Sequence, residues 1–210
     1  MNNNSDDKQF APATQRNREY ILDILLQVLP LTGTVLEIAS GTGEHAVFFA
    51  PHLKSRKWLP SDPNPISRDS ITAWSQELKG DYLYAPLDIN AQLPVWPVET
   101  EKITDSPITA IVNINMIHIS PWSACLGLMA GAGRILPPHG ILYLYGPYKQ
   151  NGQHTAPSNA AFDESLQLQN PEWGVRDLED VVKVAQSEGL ILQQVYQMPA
   201  NNLSVVFKHG

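Results

Sequence analysis

Acidic side chains and glycines in this chain fall at spacings that suit a nucleoside pocket. Gly41-Thr42-Gly43-Glu44-His45-Ala46 fits G-x-G-x-x-G/A. Small residues in that pattern let the backbone approach a ligand and leave N–H groups free at a helix start. Glu37 stands just before the turn. Asp62, with Pro63 beside it, follows the turn by about 20 residues, the distance at which an acid in such folds accepts from ribose hydroxyls. It lies in Ser61-Asp62-Pro63-Asn64-Pro65, so a simple turn-forming role fits as well. Asp88 is placed to accept from an exocyclic amine, with Leu87 and Ile89 sandwiching the ring; the plainer alternative is a helix cap or loop aspartate.

Proton transfer has fewer candidates. His118 is the first, because imidazole titrates near neutrality. It sits between Ile117 and Ile119, which equally suits a packed structural histidine. Tyr148 and His154 are loop alternatives, and Asn115, with Met116 next to it, could orient a reacting group. His45 opens the helix after the glycine turn and could simply satisfy a local hydrogen bond. Arg16 or Asn17 could hold a carboxylate, or belong to a solvated helix start. Arg176 and Asp163 could touch substrate or pair with each other. The six histidines show no H-x-x-x-H spacing, so no metal is expected.

These residues must be held by strands and helices in alternation. Thr34–Ala39 reads as a strand, and Glu44–Ala50 as the helix after it. Ile21, Leu22, Leu25, Leu26 and Leu29 mark a preceding helix that Pro30 and Gly33 stop. A short second strand at Trp58–Leu59 leads to Asp62, and a third at Tyr82–Pro86 leads to Asp88. Between them a helix is expected near Ser67–Leu78. Thr109–Ile114 is apolar enough for a strand buried on both faces. Ser120 as cap and Pro121 as first residue predict a helix running to about Leu136. Strand five is Ile141–Tyr145, and Asp177 caps a helix that Gly189 closes. Leu190–Tyr196 and Leu203–Phe207 are joined by so few residues that they must run antiparallel.

The predicted fold is a doubly wound, seven-stranded α/β sheet with helices on both faces and an antiparallel last strand. Residues 1–13 are expected to form a mobile tail, and 14–210 a single domain. Residues 146–177 are polar and lie on the ligand side, as a lid or substrate loop would.

Composition narrows the partners. The chain has 210 residues, 43% of them hydrophobic, and a net charge of -7 with a pI near 5.3. That acidity argues against a nucleic-acid substrate, which calls for clustered Lys and Arg. One cysteine, Cys125, rules out an internal disulfide. No apolar run approaches a membrane span, and no signal-peptide core is visible at Met1, so a cytoplasmic protein is expected.

Glu37, Ala39, Gly41 and Gly43 resemble the first motif of class I S-adenosylmethionine-dependent methyltransferases, with Ala39 where a glycine is usual. Longer stretches resemble the methyltransferase-like protein 26 family: RNREYIL from Arg16, VLEIASGTGEHAVFFA from Val35, PSDPNP from Pro60, NINMIHISPW from Asn113, and SNAAFDESL with NPEWGVRDLEDV after Ser158. The resemblance implies a methyltransferase using S-adenosylmethionine on a small-molecule or protein acceptor that it does not name. Glu37, Ala39, Gly41 and Gly43 would then shape the site for the amino-acid end of the cofactor. Asp62 would hold the ribose, Asp88 and Leu87 the adenine, and Asn115 would lie near the methyl. A NAD-dependent oxidoreductase, given the Gly41-to-Ala46 pattern, and a non-catalytic cofactor-binding scaffold are the alternatives.

Overall fold

Val35, Leu36 and Ile38 make β1 (Gly33–Ile38) a strand buried on both faces, and the other strands assemble around it. The computed structural model describes residues 7–210; residues 1–6 of the expected tail lie outside the described residues. β1 pairs in parallel with β2 (Arg56–Ser61) and with β3 (Ile108–Ile114). β3 pairs in parallel with β4 (Ile141–Gly146). β9 (Asn202–His209) then runs antiparallel to β4, and β8 (Leu190–Met198) antiparallel to β9. The sheet order is β2-β1-β3-β4-β9-β8. The turn between β8 and β9 passes through Ala200 and Asn201, both at φ 58°, as a tight hairpin requires.

Period-two alternation splits the interior into two cores. Leu36, Ile111, Leu142, Leu144 and Phe207 face α5 (Trp122–Ile135) and α7 (Leu178–Ser187). Val35, Val112, Tyr143 and Trp58 face α1 (Pro12–Val28) and α2 (Glu44–His52). Asp177 caps α7 through its side chain, as expected. Pro121, not Ser120, stands at the start of α5; the Ser120 hydroxyl donates back to the Met116 carbonyl at 2.9 Å instead.

The sheet has six strands, and the expected third strand is reduced to two isolated bridges beside β2, Trp58 with Leu83 and Ser61 with Leu87. Prolines explain this. Trp58 N–H donates to the Tyr82 carbonyl and Tyr84 N–H to the Trp58 carbonyl. The next two donors of a regular parallel ladder would be Pro60 and Pro86, which have no N–H. Leu87 N–H takes the Pro60 carbonyl instead, and the register slips by one residue.

Residues 8–11, expected within the tail, pack across α2 and α3 (Pro65–Ser75). Gln9 N–H donates to Ser70 Oγ, the Trp74 indole donates to the Gln9 carbonyl, and Phe10 meets Trp74 edge-on. The segment 146–177, expected as a lid or substrate loop, carries regular structure: β5 (Tyr148–Gln150), β6 (Gln153–His154) and β7 (Arg176–Asp177) make a small second sheet carrying α6 (Pro157–Gln169). Asp163 holds it together. Its carboxylate meets Lys149 Nζ at 2.8 Å and His154 Nε2 at 3.2 Å, and accepts from Val175 N–H at 2.7 Å. Burial alone would raise the Asp163 pKa, but Lys149, the Val175 N–H and the Gln167 amide hold it below the ordinary value. A depressed carboxylate pKa gives stability that is present above the unfolded value and lost as pH falls through the folded one. Asp163→Asn is therefore expected to loosen 150–176 by about 1–3 kcal/mol. Amide exchange should quicken there and not in the six-stranded sheet, and acid below about pH 4 should do the same to the parent.

Candidate functional site

The chain leaves β1 at Ile38 and reverses through Ala39–Gly43 into α2. Ala39, Gly41 and Gly43 have φ of 59°, 55° and 87°. At Gly43 a Cβ would stand 2.8 Å from the Ile71 Cα, so this glycine seats α2 against α3 and takes no part in lining the cavity. Ala39 holds a left-handed conformation that costs an L-residue about 1 kcal/mol relative to glycine. Ala39→Gly should raise the melting temperature by about 2–4 °C in a scanning calorimeter.

The turn is locked by its neighbour strand. Ser40 N–H donates to the Ser61 carbonyl at 2.8 Å, and Gly41 N–H to Asp62 Oδ2 at 2.9 Å. The other Asp62 oxygen accepts from Asn64 N–H at 2.9 Å. Two backbone donors at the strand ends are thus taken by the protein itself, and a carboxylate sits against the turn.

A cavity of about 560 Å³ opens beyond the carboxyl ends of the strands. One wall is the turn, with Glu37, Ala39, Gly41, His45, Asp62 and Pro63. The opposite wall is Ile89–Gln92, Ile114–Met116 and the start of α5. Gly127 lets that wall form, since a Cβ there would stand 2.0 Å from the Ala91 carbonyl oxygen. Ala11, Ala13 and Thr14 close the cavity from the start of α1.

Glu37 is 1% exposed, and its Oε2 accepts from the Trp58 indole at 2.9 Å. Burial pushes its pKa up to about 7; the indole partly offsets this and the charge of Asp62 adds to it. His45 is buried and its Nε2 bonds Asn17 Oδ1 at 2.8 Å. Burial, with the nearby Arg18 charge, lowers its pKa to about 3, so the ring is neutral at physiological pH.

Of the expected cofactor residues, Glu37, Ala39, Gly41, His45, Asp62, Pro63, Ile89, Asn115 and Met116 line the cavity. Asn17 stands one layer behind, through His45. Arg16 is exposed on the far side of α1, whose inward stripe is Thr14, Asn17, Ile21 and Leu25. Asp88 points outward to Arg68, 3.3 Å away, and Leu87 does not reach the cavity. The register slip at Pro86 is the cause, because a one-residue shift exchanges the faces of a strand. Asn90 and Gln92 line the wall instead and carry no sequence signal beyond their place after that strand.

Three expected catalytic side chains lie outside the cavity. His118 is 3% exposed, with Phe162 edge-on at 5.7 Å and Nδ1 unpartnered. Burial, then the Arg176 charge, lowers its pKa to about 4. The Tyr148 hydroxyl is buried and held well above the usual phenol range. His154 pairs with Asp163. Arg176 does not pair with Asp163; it donates to the carbonyls of Ile117 and Ser120 at 3.0 and 2.7 Å and ties the second sheet to the cavity wall.

Residues 8–209 match a family described as protein of unknown function DUF938. The chain belongs to this family. Among solved structures, the DUF938 chain is similar to an O-methyltransferase family protein from Burkholderia thailandensis, with a TM-score of 0.76 and 14% identity over 94% of this chain and 57% of that one. Human N-acetylserotonin methyltransferase in complex with S-adenosylmethionine gives 0.73 and 11% over 94% and 53%. CalO1, a methyltransferase of calicheamicin biosynthesis in its S-adenosylhomocysteine-bound form, gives 0.69 and 15% over 94% and 55%. The DUF938 chain spans a little over half the length of each of these three. The fold is that of class I methyltransferases. No helix among the described residues is long and apolar enough to cross a membrane.

Proposed function

We propose that this DUF938 chain is an S-adenosylmethionine-dependent methyltransferase of the methyltransferase-like protein 26 type, acting on a small-molecule or protein acceptor. One observation carries the choice of cofactor. The glycine turn that would receive a dinucleotide's diphosphate has its Ser40 amide bonded to the Ser61 carbonyl of β2 and its Gly41 amide to the Asp62 carboxylate, which stands against it. An anion would meet the Asp62 carboxylate with these two amides already taken, whereas a cationic, phosphate-free nucleoside meets two carboxyl groups. The cavity volume is also ordinary for a ligand of that size.

In this reading the cofactor supplies a methyl on sulfonium, a good leaving group. The protein's work is positioning and exclusion of water. Asp62 holds the ribose hydroxyls with the lone pairs its backbone bonds leave free. Glu37 faces the ammonium of the amino-acid end. Ile89 covers the adenine, and Asn90 takes the edge role expected of Asp88. Asn115, held at φ 59° with its N–H donating to the Tyr145 carbonyl at 2.9 Å, orients the acceptor beside the methyl.

The test is incubation with isotopically labelled donor and fractionated cell extract, followed by mass identification of what gains a methyl. A labelled product that fails to form with Asp62→Ala is the expected result. Absence of any labelled product, together with tight NAD binding, would overturn the reading in favour of an oxidoreductase.

A further inference from the structure

Among the described residues, the acceptor side of the cavity has apolar surface and amides but no group that can take a proton. Its apolar residues are Ile114, Met116, Ile119, Pro121 and Ala124. Its polar side chains are Gln92, Asn115 and Ser120, and the Ser120 hydroxyl is already spent on the Met116 carbonyl. The titratable groups that line the cavity, Glu37, His45 and Asp62, all stand on the opposite, glycine-turn wall. Each is engaged there: Glu37 with the Trp58 indole, His45 with Asn17, Asp62 with two backbone N–H groups. His118 lies behind the wall, packed against Phe162 and against Gly146, where a Cβ would stand 3.1 Å from its ring.

From this wall we infer that the acceptor is a small, apolar-bodied thiol, methylated on sulfur. The inference rests on the donor reading above. A thiol loses its proton to water on its own to a useful extent near neutrality, and the resulting thiolate is a strong nucleophile. An aliphatic alcohol needs a base in the transition state, and that wall offers none. A ring nitrogen needs no base, but its methylation leaves a fixed cation against apolar surface with both carboxyl groups on the far side. Methylation of a thiolate leaves a neutral thioether, which the wall accommodates. The balance is simple. A thiolate lone pair forms the new S–C bond, the C–S⁺ bond of the sulfonium breaks, and its electron pair stays on that sulfur to give S-adenosylhomocysteine. The thiol proton has already gone to solvent. Ile119, 42% exposed at the rim, offers the entering apolar body its first contact.

The full chain, at saturating labelled S-adenosylmethionine, is offered phenylmethanethiol, phenylmethanol and pyridine in parallel. The thiol should be methylated at least about 100-fold faster than the alcohol, the factor a missing general base withholds. Its rate should rise about tenfold per pH unit until the thiol itself is ionised, because the thiolate is the attacking species. A thermal shift with S-adenosylhomocysteine is run alongside. No shift would sink the donor reading. A shift accompanied by alcohol or pyridine methylation matching the thiol, or by no thiol methylation, would overturn this inference and leave the donor reading standing.

Discussion

Asp62→Ala is expected to weaken S-adenosylhomocysteine binding by about 100-fold, equivalent to about 3 kcal/mol. Two losses combine. The Asp62 carboxylate anchors Gly41 N–H and Asn64 N–H at 2.9 Å each, so removing it frees the glycine turn. It also removes the proposed acceptor for the ribose hydroxyls. The first loss falls on the protein alone and should lower its melting temperature by about 5 °C. The second is separated by a ligand that lacks both ribose hydroxyls. That ligand should bind the parent weakly and lose little more on Asp62→Ala. An equal loss for both ligands would mean that Asp62 shapes the turn without touching ribose. Asp62→Asn retains an acceptor without the charge and should fall between the two, about tenfold weaker.

Glu37→Gln should remove a pH dependence from both stability and binding. The Glu37 pKa rises from 4.5 to about 7 on folding. Below 4.5 the carboxyl is protonated in both states. Between the two values the folded chain keeps a proton that the unfolded chain releases, so stability falls as pH rises and the loss is complete above about pH 7. The difference is on the order of 3 kcal/mol. Glutamine still accepts from the Trp58 indole and carries no charge, so the variant without ligand should melt higher than the parent at pH 8 and equally at pH 4. His45 and His118 act in the opposite sense, since neutral buried rings lose stability as acid charges them, but they are common to both proteins.

Binding should move the other way. A cationic ligand end facing Glu37 favours the ionised carboxylate. Affinity should strengthen from pH 5.5 to 7.5, by up to about tenfold per unit below pH 7, and then level off. Protons released below pH 7 would appear as a buffer-dependent binding enthalpy. In Glu37→Gln the affinity should be lower and flat with pH. A variant that kept the slope would assign the proton to another group.

How much was legible in the sequence depended on whether its cause was local. β1, the glycine turn and Asp62 could be read because an apolar strand, small turn residues and a fixed interval follow from the geometry of a single β-α-β unit. The antiparallel end of the sheet could be read because so short a link permits no crossover. The direction of Asp88 could not. It depends on two prolines 26 residues apart, Pro60 and Pro86, removing facing donors of one ladder. The regular structure within 146–177, expected as a lid or substrate loop, was hidden for a related reason. Its polar sequence hides an arrangement in which Lys149, His154 and Val175 converge on one aspartate. Ala11 and Ala13 close the cavity as plain alanines, with no chemistry for a sequence to announce.

The central claim is that the cleft above β1, β2 and β3 receives a methyl-donating nucleoside. Calorimetric titration of the full chain with S-adenosylmethionine, S-adenosylhomocysteine and NAD, at pH 7.5 and in separate runs, tests it without requiring the acceptor. Saturable one-to-one binding of the first two, with no heat from NAD, is the predicted result. Binding of NAD with no response to either sulfur nucleoside would contradict it.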